Sequence, residues 1–433
     1  MKTPAIFLFL FLFFSPMLPA QKIITVDEAI ATALNNNYGI RIARSQADIN
    51  KLNNTAGNAG MLPEVSLTGS DKYALNDNYQ KFSAGNDATN PSLSSNAINA
   101  GVALSWTLFD GGKMFITKNK LNEIEAQGEI LFRENVLQTV YDVVASYYDV
   151  VKQKQQLVSI NEAMRLNEGR VKISSTSFDA GLAPKTDMLQ AKIDLNVYRE
   201  NAILQLSAIE AAKRSLYQLL GMTAAAGLEV SDSIPLDYQP DIKELNAKIF
   251  SSNTSVLWYQ KQVDIAKLSL KEYNRLRLPS LSVDAGYYFS QNDYSSGSVV
   301  KNRNVGPQFA GNISIPLYQS GNKLRQISIA KTQLQSANDE LENVKLQINT
   351  QLLNALSDFE HQQSMLQIER DNEQLARENL DICLARLRQG QTTSLEVHQA
   401  QDYFVQSQTR RIDLEYSVKI AGTKLQQLMA VLK

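Results

Sequence analysis

The 433-residue sequence is poor in chemically reactive side chains, with one cysteine and two histidines. Cys383 has no second cysteine to form an intramolecular disulfide, so we interpret it as a small apolar residue of a helix. His361 and His398 are far apart and lack the spacing of metal ligands. This argues against a metal site and against a histidine-based catalytic triad. We predict no enzyme activity and no cofactor.

The sequence also lacks a strong excess of either charge. It has 43 Lys and Arg against 44 Asp and Glu, a formal net charge of -1. A nucleic-acid-binding domain usually carries a basic patch or a basic balance. The composition therefore argues against a nucleic-acid partner.

Long apolar runs are absent after the first residues of the chain. Lys2 precedes an apolar run from Ile6 to Phe14, and a small residue, Ala20, follows. This pattern predicts a secretory signal peptide over residues 1–20, because the run is shorter than the ~20 residues that a spanning helix needs. A retained membrane anchor is the alternative. No cysteine stands at the predicted cleavage point, which argues against a lipid anchor there.

The sequence repeats itself over almost its whole length. The segment FDAGLAPKTDMLQA (178–191) resembles LRQGQTTSLEVHQA (387–400), 209 positions later, and this shift holds without a gap from Ser105 to the end. Upstream the shift is 216, where LPEVSL (62–67) matches LPSLSV (278–283). We therefore predict two structural repeats, 21–220 and 242–433, joined by a linker at 221–241 that is rich in turn residues.

Each repeat has the same predicted order: a helix, two strands, a very long helix, a tight turn and a long helix. The predicted β-hairpins and long helices occupy 62–109, 112–176 and 184–220 in the first repeat, and 278–318, 322–388 and 394–431 in the second. No proline interrupts the longest helices, and about 65 residues span roughly 100 Å of helix. The fold class is α+β, with apolar residues at coiled-coil spacing: Val136, Val140, Val143, Tyr147 and Val151.

The four predicted strands alternate apolar residues with small polar residues. In the second strand, one side carries Val102, Leu104, Trp106 and Leu108. Segments of about ten such residues are typical of transmembrane barrel strands. The polar segments 76–96 and 292–304 are then expected to be extracellular loops. A half-buried sheet packed against helices is the alternative, but helices this long leave nothing compact to cover it.

Four strands cannot close a barrel, and an open sheet edge in lipid is prohibitively costly. Two chains would supply eight strands, and the interior of such a barrel is filled by side chains. Three chains would supply twelve strands and a wider lumen, and a head-to-tail contact around a threefold axis closes the ring. We therefore predict a homotrimer with a twelve-stranded barrel that continues into a tube of long helices.

In these motifs the chain resembles the TolC-like outer-membrane efflux proteins. The resemblance rests on LPEVSL and LPSLSV at strand starts, on LFDGGK and PLYQSGN at strand-to-helix junctions, and on the paired glycine turns. It implies a trimeric barrel in outer-membrane lipid that continues into a coiled-coil tunnel through the periplasm. It also implies a channel for drugs, ions or proteins that works with a periplasmic membrane-fusion adaptor and an inner-membrane efflux pump. A periplasmic coiled-coil adaptor is the alternative function.

The resemblance further implies a pore constriction at the periplasmic end of the tunnel. Asp187 and Glu396 match the family's constriction carboxylates. A second acidic ring is expected three residues later, where Gln190 and Gln399 stand. A basic residue that latches the closed state is expected where Thr392 stands. The alternative for both acids is stabilisation of a helix N-terminus by the helix dipole.

Two further sets of residues acquire expected roles from this resemblance. The turns that would contact the adaptor are Gly181, Leu182, Ala183, Gly390, Gln391 and Thr392. The glycines that would turn the chain from the barrel into the tunnel are Gly111, Gly112 and Gly321. A glycine past a helix end readily adopts the left-handed conformation, so turning alone is the simpler role for the tip glycines.

Overall fold

A computed structural model describes residues 23–81, 83–85, 87–223 and 227–432 of the chain. The predicted signal peptide, 1–20, lies outside the described residues. The helices are α1 Val26–Asn36, α2 Tyr38–Asn53, α3 Lys113–Asp179, α4 Lys185–Leu219, α5 Ile242–Ser252, α6 Thr254–Arg275, α7 Asn322–Arg388 and α8 Ser394–Leu428. The strands are β1 Ile23–Ile24, β2 Glu64–Gln80, β3 Ala88–Asp110, β4 Glu229–Val230, β5 Ser280–Tyr294 and β6 Lys301–Ser314.

Two helices, α3 and α7, dominate the molecule, and each has 67 residues. At 1.5 Å per residue each is about 100 Å long. Below the β-sheet, α2 and α6 pack along the first parts of α3 and α7, while α4 and α8 pack antiparallel along their second parts. The contact between the two repeats in this second part joins α3 to α8. No described helix is apolar over a length sufficient to cross a membrane.

The helix that precedes each hairpin is divided in two, whereas the sequence predicts one helix in this place per repeat. Asn37 and Asn253 separate the halves, and both have extended backbone conformations with ψ of 125° and 124°. The asparagine side chain accepts a hydrogen bond from the backbone N–H three residues later, so it starts a new helix. The apolar periodicity continues through both breaks, and it therefore does not reveal them.

The larger sheet contains four antiparallel strands in the order β2-β3-β5-β6. No helix packs over either face within the described part of the chain, and Leu67 and Phe309 are each 80% exposed. The half-buried sheet that was the alternative is therefore not the arrangement found. Cross-strand pairs place apolar residues on one face, as in Val65–Leu104 and Ala285–Phe309, and polar or small residues on the other.

The strands differ from the predicted hairpins in two ways. First, β2 and β3 remain paired as far as Gln80 and Ala88, so most of the expected loop 76–96 is strand. Antiparallel pairing satisfies backbone groups whatever the side chains are, so a ribbon that is polar on both faces still forms. Second, β6 ends at Ser314, before the predicted end of the hairpin at residue 318.

A register shift alters the apolar face near the end of β3. Trp106 lies opposite Val283, but the next apolar pair is Phe109 with Leu281, and Leu108 is left without a partner. The strict alternation expected for Leu108 is therefore wrong, and Phe109 takes its place on the apolar face. An extra residue of this kind increases twist at the end of a strand.

Two clusters of buried apolar residues lie midway along α3 and α7. One is built on α1, α3 and α4, with Val143, Tyr147 and Val151 fully buried, and the other is built on α5 to α8. Leu236 of the linker packs against both clusters. The linker also supplies β4, which pairs in parallel with β1. This sheet of two strands, each of two residues, was not predicted.

Candidate functional site at the helix turns

The two turns at the ends of the long helices share one backbone geometry. After α3, Gly181 has φ of 72°, and the Leu182 N–H donates to the Ser177 carbonyl at 2.8 Å. After α7, Gly390 has φ of 68°, and the Gln391 N–H donates to the Arg386 carbonyl at 2.9 Å. This six-to-one bond with a left-handed glycine is the Schellman end of a helix. Both glycines are required by the turn itself.

The surfaces of the two turns differ. Leu182 is 83% exposed at the first turn, whereas Gln391 occupies the corresponding position of the second. The helix after the first turn has Pro184 as its N-cap, without a side-chain cap bond, while Thr393 caps α8 by accepting from the Glu396 N–H at 3.2 Å. The molecule thus presents one apolar and one polar turn.

The two predicted constriction carboxylates occupy equivalent places in the third position of α4 and α8. Asp187 is half-exposed, and its side chain makes no hydrogen bond or ion pair among the described residues. Glu396 is exposed and accepts a hydrogen bond from the hydroxyl of Thr392. Thr392, which stands in place of the expected basic residue, thus holds one of the two acids.

The two glutamines predicted beside the carboxylates behave differently from each other. The Gln190 side-chain amide donates to Asp194 Oδ1 at 2.8 Å, one turn further along α4. Gln399 is exposed on α8. No hydrogen bond joins Asp187 or Gln190 to Glu396 or Gln399 in the described part of the chain, so one protomer does not assemble the four into a single contact network.

A cluster of charged groups that sequence reasoning missed lies further from the turns. Arg170 of α3 has a fully buried side chain and forms an ion pair with Asp194 of α4. His398 of α8 places Nδ1 3.3 Å from Asp194 Oδ2 and Nε2 3.3 Å from Asp402 Oδ2. The Tyr198 hydroxyl donates to Asp402 Oδ1 at 3.3 Å. The cluster therefore joins three helices.

The surroundings of Tyr198 in this cluster favour its protonated hydroxyl. Burial and the neighbouring Asp402 raise the pKa of Tyr198, so its hydroxyl remains a donor.

Two signals in the sequence point to the cluster: His398 and Asp402 are four residues apart on one helix, and Arg170 occupies a position of the buried stripe of α3. The sequence does not show which helices bring these residues together.

The three glycines predicted to turn the chain from the barrel into the tunnel all have left-handed conformations. Gly111, Gly112 and Gly321 have φ of 75°, 79° and 70°, and the last two immediately precede α3 and α7. A Cβ on Gly111 would lie 2.7 Å from Leu278 Cβ and 2.8 Å from the Arg275 carbonyl oxygen, whereas a Cβ on Gly112 would have no atom within 4 Å among the described residues. Of these three glycines, only Gly111 is restricted both by its backbone conformation and by neighbouring atoms.

The comparison with protein families matches residues 29–222 and 245–431 to the outer membrane efflux protein family. The chain belongs to this family. It is similar to the outer membrane efflux protein BepC of Brucella suis, with 28% identity over 335 residues that cover 75% of this chain and 70% of BepC. It is also similar to TolC of Escherichia coli, with 22% identity over 295 residues that cover 65% of this chain and 57% of TolC.

Solved structures show the same fold. A structure of CusC has a TM-score of 0.78 at 17% identity, and it covers 94% of this chain and 93% of that one. VceC of Vibrio cholerae has a TM-score of 0.75 at 14% identity, with 94% and 96% covered. The resemblance seen in the sequence is thereby confirmed. The chain is a TolC-like efflux protein of the outer membrane with a periplasmic tunnel, in a family of channels rather than enzymes.

In this efflux protein, two asparagines each join the end of one helix to the start of another. The Asn37 side chain, which starts α2, donates to the carbonyl of Leu219 near the end of α4 at 2.8 Å. Asn253, which starts α6, donates in the same way to Leu428 at the end of α8 at 3.0 Å. Each asparagine thus satisfies one helix start and one helix end. The end of α4 is thereby bonded to the start of α2, and the end of α8 to the start of α6.

Proposed function

We propose that three copies of this chain form a passive outer-membrane duct. Each copy contributes four strands to a twelve-stranded barrel and its long helices to the periplasmic tunnel. The observation that carries the proposal is the uncovered sheet, which has one apolar face and two free edges, β2 and β6. These edge strands run in opposite directions, so β6 of one copy can pair antiparallel with β2 of the next, and three such contacts leave no edge in lipid.

The helices support the same ring. The lateral edges of the tunnel are α2 and α4 on one side and α7 on the other, since α3, α6 and α8 lie between them. Exposed apolar residues follow these edges mostly at steps of three, four or seven, as in a coiled-coil seam, with one gap on α7 between Leu353 and Ile368. They are Tyr38, Ile42, Ile49 and Leu52 on α2, Leu189, Ile193, Val197 and Leu204 on α4, and Leu346, Leu353, Ile368, Leu375 and Ile382 on α7.

Each repeat would contribute two strands to the barrel and long helices to the tunnel. We assign 21–220 and 242–433 to the two repeats and 221–241 to the linker. Around the threefold axis, Asp187 and Glu396 would form a ring of six carboxylates at the periplasmic end, and such rings favour cations. Gln190 and Gln399 would lie next to this ring. The turns at Gly181–Ala183 and Gly390–Thr392 would receive the periplasmic adaptor, and an inner-membrane pump would supply the cargo.

The proposal is tested with the purified full chain in detergent and in planar bilayers. We expect a trimer by mass, heat-modifiable migration and a conductance that prefers cations. A monomer without conductance would overturn the proposal. A periplasmic adaptor, the other function considered, would fractionate with the soluble periplasm, whereas the duct remains with outer-membrane lipid.

A further inference from the structure

Tyr288 of β5 lies on the polar face of the four-stranded sheet, among much smaller side chains. Its partner on β3 is Gly101, its partner on β6 is Gly306, and Thr68 of β2 completes the row. In the part of the described sheet where all four strands pair, no other aromatic residue lies on this face. The next residue, Tyr287, belongs to the apolar face, because successive side chains of a strand alternate between faces.

The ring of Tyr288 lies along the backbone in a recess that two glycines form. A Cβ on Gly286, two residues earlier in β5, would lie 2.5 Å from Tyr288 Cε2, 2.6 Å from Cζ and 2.7 Å from Oη. A Cβ on Gly101 would lie 2.5 Å from Tyr288 Cδ1. The ring therefore occupies the space that side chains at Gly286 and Gly101 would need, and we name this space the glycine recess. Tyr288 is half-buried there, although no described helix packs over the sheet.

The fit of the ring to this recess is steric. The Tyr288 hydroxyl makes no hydrogen bond to another described residue. A glycine in a strand allows another group to approach the backbone closely, and here that group is the ring. An alanine at Gly286 would meet only atoms of the ring, so the ring and not the backbone would have to move. On the other side of the ring, a Cβ on Gly306 would have no described atom within 4 Å.

The position of Tyr288 along β5 gives the recess a place in the proposed duct. The adjacent pair on the apolar face is Phe289 with Val305. The pair beyond it, Gln291 with Arg303, is polar, so Tyr288 lies near the outer end of the apolar band. In a barrel whose polar face lines the interior, three copies place three Tyr288 rings at one level of the lumen. Rings that stood upright from the wall would narrow the lumen at this level.

We propose that Gly286 and Gly101 set the width of the barrel interior by holding Tyr288 against the wall. The glycine recess then determines the size of cargo that passes the outer half of the barrel, and Tyr288 with its two glycines is the size-determining set. This inference rests on the proposed function, because it requires the polar face of the sheet to line the lumen.

The test measures entry into the barrel from outside. In a Cys383→Ser background, Ser282→Cys places a thiol on the polar face of β5, nearer to the helices than Tyr288. Cells with the full chain in their outer membrane receive a small membrane-impermeant maleimide or the longest polyethylene glycol maleimide that still labels this thiol. We expect Gly286→Ala to slow labelling by the polymer about tenfold, because upright rings reduce the lumen diameter. Labelling by the small reagent should not change, which shows that the barrel is folded and the thiol reactive.

Three further variants make the result specific to the ring. Gly306→Ala, on the same row and face but with open space around it, is the matched control and should label at the unchanged rate. Gly286→Ala combined with Tyr288→Ala should regain that rate. Tyr288→Ala alone should also keep it, because a ring that lies on the wall occupies little of the lumen.

Two results would overturn the proposal: polymer labelling that is unchanged in Gly286→Ala, or polymer labelling that is faster in Tyr288→Ala alone. The first would show that the ring finds another place along the wall, and the second that it already projects into the lumen. Failure of the proposed function gives a different result. Neither reagent would then label position 282 from outside in any of these proteins, although both label it after unfolding, and the inference would fall with the duct.

Discussion

At the scale of single residues, Gly111 shows how a position can be restricted twice. Its φ of 75° disfavours any side chain, and a Cβ would lie within 2.8 Å of the Arg275 carbonyl oxygen. Gly112 has the same backbone requirement, with φ of 79°, but open space around it. A side chain at Gly112 would therefore meet only backbone strain, whereas a side chain at Gly111 would meet both backbone strain and steric overlap.

We expect Gly112→Ala to destabilise the fold by about 1–2 kcal/mol, the cost of a left-handed alanine. Gly111→Ala should cost about 1–3 kcal/mol more, because the chain must shift to relieve the overlap. Thermal unfolding of the two variants measures the difference directly. Equal losses would show that the junction relaxes freely around Gly111.

The two acids predicted to line the constriction, Asp187 and Glu396, differ in their hydrogen bonds. Asp187 has no side-chain partner among the described residues, whereas Glu396 accepts a hydrogen bond from Thr392. We expect Asp187→Asn combined with Glu396→Gln to weaken cation preference and block by divalent cations, because six negative charges leave the proposed ring. Single-channel reversal potentials in a salt gradient measure this effect.

The single variants refine that prediction. Asp187→Asn should change selectivity alone, whereas Glu396→Gln should also weaken the hydrogen bond from the Thr392 hydroxyl, because a neutral amide oxygen is a weaker acceptor than a carboxylate. Gln399→Ala, an exposed neighbour on the same helix, is a suitable control. If the double variant has wild-type selectivity, the two acids serve only as helix-start residues.

At the scale of elements, Asn253 tests whether the stacked helices depend on their junction. Its side chain is buried, accepts from the Val256 N–H at 3.2 Å and donates to Leu428 at 3.0 Å. Asn253→Ala should cost about 2 kcal/mol, since a helix cap is lost and a carbonyl loses its donor. Asn253→Asp keeps the cap oxygen but not the donor. Urea unfolding should rank the variants, with both less stable than wild type.

The small β1–β4 sheet gives the chain an acid-sensitive element. Glu229 Oε1 lies 2.7 Å from Lys213 Nζ, and its Oε2 lies 3.5 Å from Lys154 Nζ. Burial raises the pKa of Glu229. Lys213 and Lys154 together lower this pKa by more than burial raises it, so the net change is downward from 4.5. A carboxylate with a lowered pKa stabilises the fold above its unfolded pKa, and this contribution disappears as pH falls through the folded value.

We therefore expect Glu229→Gln to lower stability by up to about 1 kcal/mol at pH 7 and to have little effect at an acidic pH that lies below the lowered pKa of Glu229. Thermal unfolding at the two pH values measures the difference. Glu210→Gln, whose carboxylate is 3.8 Å from Lys213 and mostly exposed, is the control. A pH-independent loss in Glu229→Gln would assign the effect to packing instead of charge.

Element by element, the predictable parts of the fold are those with local causes. The long helices follow from apolar spacing without proline and from the left-handed glycine after α3, α4 and α7. The breaks at Asn37 and Asn253 and the pairing of Ile23 with Glu229 depend on partners far away in the sequence. The cluster of Arg170, Asp194 and His398 was missed for the same reason, because three separate helices supply it.

At the scale of the whole molecule, the question is what covers the edges of one chain. Leu375 lies in the exposed apolar row of α7 and is 64% exposed, and Ile193 lies in the corresponding row of α4. In the proposed ring these two rows face each other in neighbouring copies. A charge placed in such a seam loses its water without gaining a partner.

We accordingly expect Leu375→Glu to shift the purified protein from trimer to monomer and to abolish conductance, while the helical content of the monomer is retained. Val158→Glu places the same charge at a position that is 68% exposed on α3, away from both lateral edges, and should leave the trimer intact. Mass measurement in detergent and far-ultraviolet circular dichroism provide the two readouts. A stable trimer of Leu375→Glu would mean that the apolar row of α7 lies outside the subunit contact, and the ring would then have to be held by the strand edges alone.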